Sequence, residues 1–168
     1  MVIGGITPLS EKSHDPHASV PTDGYNRYLK GEFVAMDTPR REMLSLEQFE
    51  RLLTFLGYDG EMKPEYMLGK VGADSGREYI TVDEYYKLMN KFPDVKTRTN
   101  KLRVLFLKFD HNYDGFAPKE DVLDELRKMG VDVDAEIISK VEQMDVNRDG
   151  KISYQEFVLT HLKQKNYI

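Results

Sequence analysis

The chain has 168 residues, 32% of them charged, and a net charge of −5. That length suits one medium domain or two small lobes, and the mild acidity argues against a general nucleic-acid binder, which is normally basic. The absence of cysteine removes disulfide frameworks and thiol chemistry, and no apolar run approaches the roughly 18 residues of a membrane span.

Residues 1–22 contain Pro8, Pro16 and Pro21, with His14 and His17 and little apolar periodicity. They read as a flexible tail in which nothing organises the two histidines into a metal pair. The start, Met1-Val2-Ile3-Gly4-Gly5, has no glycine in second place and no basic stretch before a long apolar run. It is therefore read as neither a myristoylation signal nor a signal peptide, and a cytoplasmic protein is expected.

An internal period follows. Phe33 and Met36 stand before Asp37, Leu68 and Val71 before Gly72, Phe106 and Phe109 before Asp110, and Val141 and Met144 before Asp145. Each pair is three residues apart and so shares one face of an incoming helix. After each loop the apolar residues return at helical spacing: Leu46, Phe49, Leu52 and Leu53; Val82, Tyr85, Leu88 and Met89; Val122, Leu126 and Met129; Phe157, Leu159 and Leu162. The spacing predicts four helix–loop–helix units and an all-α fold. Between the second and third units, Asn90–Asn100 contains Pro93, which predicts a bent connector instead of one continuous helix.

The loops differ in chemistry. Residues 37–48 carry Pro39, Arg41 and Gln48 at their third, fifth and twelfth positions, with Arg40 between; a guanidinium where a cation needs oxygen is repulsive. Residues 72–84 are one residue longer, start at glycine and include Arg77, leaving Asp74, Asp83 and Glu84 as a poor donor set. Both are expected to pack without metal. Residues 110–121 offer Asp110, Asn112 and Asp114 at alternate positions, a carbonyl at Phe116, and Asp121 at the end. Pro118 has no side-chain donor, and Asp121 is one methylene shorter than glutamate, so bidentate closure on a large ion is difficult. A weaker Ca²⁺ site that accepts Mg²⁺ is expected there, with His111 pointing outward and not a ligand. Residues 145–156 meet every constraint of D-x-[DN]-x-[DN]-G-x5-E: Asp145, Asn147 and Asp149 supply oxygens, Gly150 the sharp turn, Lys151 a carbonyl, Ser153 a direct or water-mediated contact, and Glu156 the closing carboxylate. This is the EF-hand calcium-loop pattern and the expected tight Ca²⁺ site.

On these two motifs and the repeat spacing, residues 25–163 resemble the calmodulin and troponin C superfamily. The resemblance implies four EF-hand units paired into two lobes, each joined by a short two-stranded contact. It divides the chain into the tail at 1–22, an N-terminal lobe with degenerate loops at 23–92, and a C-terminal metal-binding lobe at 93–168. It implies a calcium sensor or regulatory subunit whose C-terminal lobe takes up an amphipathic target helix, or alternatively a calcium buffer of the sarcoplasmic calcium-binding type, whose lobes open little. The last helix has Leu159, Thr160 and Leu162 where calmodulin-like chains carry a methionine pair, which argues against a broad target range. There is no cysteine nucleophile, no P-loop and no G-x-G-x-x-G, and nothing in the sequence points to a Ser–His–Asp set, so no catalytic residues and no enzyme are expected; a monomer is.

Overall fold

The computed structural model describes residues 22–37, 41–73 and 76–167. The expected tail up to residue 21, with His14 and His17, lies outside these residues, as do Pro39, Arg40 and Asp74.

The chain is mostly helical. Helix α1 spans Thr22–Met36; strand β1, Met43–Ser45, runs directly into α2, Leu46–Leu56; α3 is Pro64–Lys70; β2, Tyr79–Thr81, runs into α4, Val82–Lys91. Then come α5 (Pro93–Arg98), α6 (Lys101–Leu107), β3 (Phe116–Pro118), α7 (Lys119–Lys128), α8 (Ala135–Met144), β4 (Lys151–Ser153) and α9 (Tyr154–Gln164). The connector bends where expected: α4 stops at Lys91, and Pro93 opens α5 at a first-turn position, where its missing N–H costs nothing.

Three of the helices that leave loops start with a reciprocal cap. The Ser45 hydroxyl accepts from the Gln48 amide while Gln48 reaches back to the Ser45 amide, and Thr81 with Glu84 and Ser153 with Glu156 do the same. Each cap satisfies two backbone donors that the first helical turn leaves orphaned. Helix α7 departs from this pattern, because its cap position is Pro118, which offers no side-chain acceptor.

The three-residue strands form two antiparallel ribbons. Leu44 stands opposite Ile80 in β1–β2, and Ala117 opposite Ile152 in β3–β4. All four side chains are buried in the core, so each ribbon fastens two loops while adding apolar surface inside. The extra residue of 72–84 falls before β2 and leaves the register intact.

One hydrophobic cluster runs from Tyr25 to Leu162 and takes in side chains from both halves of the chain. Helix α1 is its pivot, packing on both α4 and α9. At the centre Arg103 of α6 and Glu32 of α1, both 0% exposed, form an ion pair with Nε–Oε1 at 2.9 Å and Nη2–Oε2 at 2.5 Å. The Tyr85 and Tyr154 hydroxyls also donate to Glu32, and Arg103 donates to Tyr25 and Thr99. Two charges this deep are tolerable because nearly every lone pair and proton has a partner. Burial opposes the charge on Arg103, but the facing Glu32 carboxylate prevails and holds its pKa well above the ordinary value. Farther out, Arg51 of α2 donates to the Tyr167 carbonyl at 2.8 Å, and Phe55 meets the Tyr167 ring edge-on.

Candidate metal centre

Residues 145–156 join α8 to β4 and α9. Asp145 is 3% exposed, and its carboxylate holds the turn together: Oδ1 accepts from the Asp149 amide at 3.1 Å and Oδ2 from the Gly150 amide at 3.0 Å. Gly150 has φ 87°, a conformation that costs least without a Cβ. Asp149 Oδ1 accepts from the Lys151 amide at 3.1 Å, and the Lys151 ammonium lies 4.6 Å from the centre of the Phe116 ring, so that its carbonyl is what it offers the loop. From the far end Glu156 folds back across the loop: Oε2 accepts from the Asn147 amide at 3.3 Å and Oε1 from the Ser153 amide at 2.9 Å. The closing carboxylate thus already spans to the front of the loop. The Ser153 hydroxyl caps the helix by accepting from the Glu156 amide at 3.1 Å.

Residues 110–121 repeat the front of this arrangement. Asp110, 0% exposed, accepts from the Asp114 amide at Oδ1 (3.2 Å) and the Gly115 amide at Oδ2 (2.9 Å), and Asp114 Oδ1 accepts from the Phe116 amide at 2.9 Å. The Asn112 carboxamide is satisfied with its nitrogen donating to Asp110 Oδ1 at 3.2 Å and Asp114 Oδ1 at 2.9 Å. Asp110, Asn112 and Asp114 therefore gather around one point, held by N–H groups where a cation would be met by the same residues with the Asn112 oxygen turned inward. The back of the loop is different. Asp121 has its Oδ2 3.9 Å from His111 Nδ1, with 41% of the side chain exposed, and His111 Nε2 lies 3.2 Å from Glu125 Oε1. With Pro118 at the cap there is no reciprocal box to tether position 12, and aspartate is too short to cross the loop unaided.

The two leading carboxylates sit in different fields. Burial raises the pKa of Asp110, against the bonds from Tyr28 and Gly115. At Asp145 burial pushes the same way, but the amides of Gly150 and Asp149 and the Lys119 ammonium prevail and hold it below the ordinary range. Lys119 Nζ is 2.9 Å from Glu142 Oε1 and 3.4 Å from Asp145 Oδ2.

The two loops of the first half keep the skeleton and fill it from within. Asp37, 3% exposed, accepts from the Arg41 amide at 3.0 Å and the Glu42 amide at 2.7 Å, with Glu42 at φ 62° in the place glycine holds elsewhere. In the second loop the Arg77 guanidinium is ion-paired with Glu84, the carboxylate at the closing position, and lies 4.7 Å from the centre of the Tyr79 ring. A built-in cation thus rests where a closing carboxylate would face an ion. Among the described residues, no three His, Asp or Glu side chains are drawn into a ready cation cage. The side chains gathered in 110–121 and 145–156 present oxygens, a set that suits Ca²⁺ or Mg²⁺ better than zinc.

Sequence reading missed the role of the caps, although Ser45–Gln48, Thr81–Glu84 and Ser153–Glu156 all spell S/T-x-x-E/Q. It also missed Tyr28 and Lys119, which reach their loops from other elements and leave no local signal.

The family model of the EF-hand domain pair matches residues 99–159. Calcium-dependent protein kinase 9 of Oryza sativa subsp. japonica is 28% identical over 132 residues, covering 77% of this chain and 23% of its own length. Polcalcin Cup a 4 of Hesperocyparis arizonica is 42% identical over 65 residues, 38% of this chain and 39% of its own length. EF-hand calcium-binding domain-containing protein 11 of Mus musculus is 22% identical over 152 residues, 89% of this chain and 93% of its own length. The chain spans about a quarter of the length of the kinases that it matches. With the loop geometry above, these similarities identify an EF-hand domain pair at residues 99–159 and support an EF-hand calcium-binding protein.

Proposed function

We propose that the protein is a non-enzymatic calcium-dependent regulator that binds Ca²⁺ through its C-terminal half. In this reading four helix–loop–helix units pair into two lobes, residues 23–92 and 93–168. Asp145, Asn147, Asp149, Lys151, Ser153 and Glu156 hold the tighter ion. Asp110, Asn112, Asp114, Phe116 and Asp121 hold a weaker one, with greater tolerance of Mg²⁺. The observation that carries the reading is Glu156, whose carboxylate crosses its loop to Asn147 at 3.3 Å and needs little reorganisation to supply closing oxygens. The first half serves as a metal-free docking partner, its loops filled by amides at Asp37 and by Arg77 at Glu84. The similarity to proteins named as calcium-dependent kinases supports regulation over storage.

A second reading, a calcium buffer with lobes that do not open, is favoured by the buried Arg103–Glu32 pair, which ties the halves at their centre. Fluorescence of a hydrophobic dye, with Mg²⁺ saturating, distinguishes the two when Ca²⁺ is added. A regulator exposes apolar surface and the signal rises, and Glu156→Gln abolishes the rise. A flat signal with Ca²⁺ demonstrably bound identifies the buffer.

A further inference from the structure

Helix α1 belongs to the first half of the chain, yet it is built against the third loop. Tyr28, 0% exposed, donates its hydroxyl to Asp110 Oδ2 at 2.8 Å across 82 residues of sequence. One residue earlier, Arg27 donates to the Tyr113 carbonyl at 3.3 Å. Gly115 also lies close to α1: a Cβ there would meet the Arg27 side chain at 3.7 Å. The loop backbone therefore rests directly on this helix.

The Tyr28 ring is fixed from two sides. It stacks on Tyr154 with centroids 4.8 Å apart and meets Phe106 edge-on at 5.9 Å. Its hydroxyl consequently arrives at Asp110 with little freedom. Asp110 Oδ2 accepts from both Tyr28 and the Gly115 amide, whereas Oδ1 takes the longer 3.2 Å bond from Asp114 and faces the Asn112 carboxamide. One oxygen is anchored and the other is presented to the point where Asn112 and Asp114 converge. Asp145, the equivalent residue of the last loop, has no phenol; its Oδ2 has the Gly150 amide and, at 3.4 Å, the Lys119 ammonium.

We propose that Tyr28 is a positioning residue for a cation site in residues 110–121, anchoring Oδ2 of Asp110 so that Oδ1 faces the ion, and that through it α1 senses whether that loop is filled. The proposal rests on the reading that this loop binds a divalent cation. It also accounts for how a loop with Pro118 and Asp121 at its back can function: when closure is weak, pre-orientation of the front ligands carries more of the affinity. The link is reciprocal, because a helix that orders a ligand is itself stabilised when the ligand is used. Glu32 stands one turn beyond Tyr28 on the same helix and accepts from Tyr154, on which Tyr28 stacks, at 3.1 Å, so a shift at Tyr28 has a route through Tyr154 to the buried ion pair.

Glycine-selective amide labelling of the full chain tests this, since Gly31 reports α1, Gly115 the third loop and Gly150 the last. Ca²⁺ is titrated into the parent and into Tyr28→Phe, which keeps the ring and its stacking and removes the hydroxyl. The expected result is a loss of about tenfold in affinity at Gly115, with Gly150 unchanged within about twofold. In the parent, Gly31 should move in step with Gly115. Equal affinities at Gly115 in parent and variant overturn the proposal, as does an equal loss at both loops, which marks a general structural defect. A parent in which Gly31 stays still while Gly115 responds overturns it without recourse to any variant. If Gly115 itself fails to respond in the parent, the reading of loop 110–121 as a cation site falls, and the proposal falls with it.

Discussion

The first and second halves of the chain build the same object, two loops joined by a two-stranded ribbon, and neutralise it differently. In 37–48 the leading carboxylate is spent on backbone amides and the closing residue is neutral Gln48. In 72–84 the closing Glu84 is held by Arg77. In the second half the leading carboxylates are likewise amide-bound, but Asn112 and Glu156 still bring oxygen-bearing groups together across their loops. The ribbon and the reciprocal caps are the parts of the skeleton that the two halves share. Leu44 and Ile80 pair as deeply as Ala117 and Ile152, and Ser45 with Gln48 caps α2 in the same way as Ser153 with Glu156 caps α9.

The most severe way to break the comparison is to uncouple the halves. Arg103→Ala leaves Glu32 charged and buried, and should cost about 3–5 kcal/mol; urea unfolding with and without Ca²⁺ measures it, and a loss below about 1 kcal/mol would show that the halves stand alone. Next is the internal cation. Arg77→Gln strands a largely buried Glu84 and should lower metal-free stability by about 2 kcal/mol, with no effect on Ca²⁺ affinity at Gly150. If the protein instead gains a third calcium by calorimetry, Arg77 was excluding one.

Glu156→Gln then separates two jobs of one side chain. Gln48 shows that glutamine serves in the reciprocal cap, so the variant should keep its metal-free stability while Ca²⁺ affinity at the last loop drops at least tenfold, about 1.4 kcal/mol. An unchanged Ca²⁺ affinity would mean that the carboxylate acts as a cap alone. The smallest effect is expected from Asp121→Glu: a gain of a few-fold in Ca²⁺ affinity, under about 1 kcal/mol, with a lower relative preference for Mg²⁺. If that ratio does not move, Pro118→Ser in the same background, which restores the cap acceptor, should move it; a ratio unmoved by both excludes the back of the loop as the source of the weakness.

What could be read from the sequence was local. The alternating oxygens of 110–121 and 145–156, the apolar pairs ahead of each loop and the break at Pro93 all lie within a few residues of their partners, and hydrophobic period and ligand spacing are themselves short-range patterns. What escaped was long-range. Tyr28 reaches Asp110 across 82 residues and Arg103 reaches Glu32 across 71, and a lone tyrosine or arginine in an amphipathic helix carries no mark of the partner that packing will deliver. Asp121 was read as a short ligand; that Pro118 also removes its tether becomes visible only when position 12 is recognised as the third residue of a helix.

The buried ion pair has a consequence for how the chain must be made. Glu32 leaves the ribosome 71 residues ahead of Arg103 and 122 ahead of Tyr154, so the buried ion pair cannot close until α6 has been synthesised. During that interval the Glu32 carboxylate lacks its guanidinium, and burying it against α4 with only the Tyr85 hydroxyl to meet it would leave a charge uncompensated. Final assembly then joins segments from opposite ends of the described chain, a slow kind of closure, and refolding should show a late phase in which fluorescence of the buried tyrosines changes after most helical signal has returned.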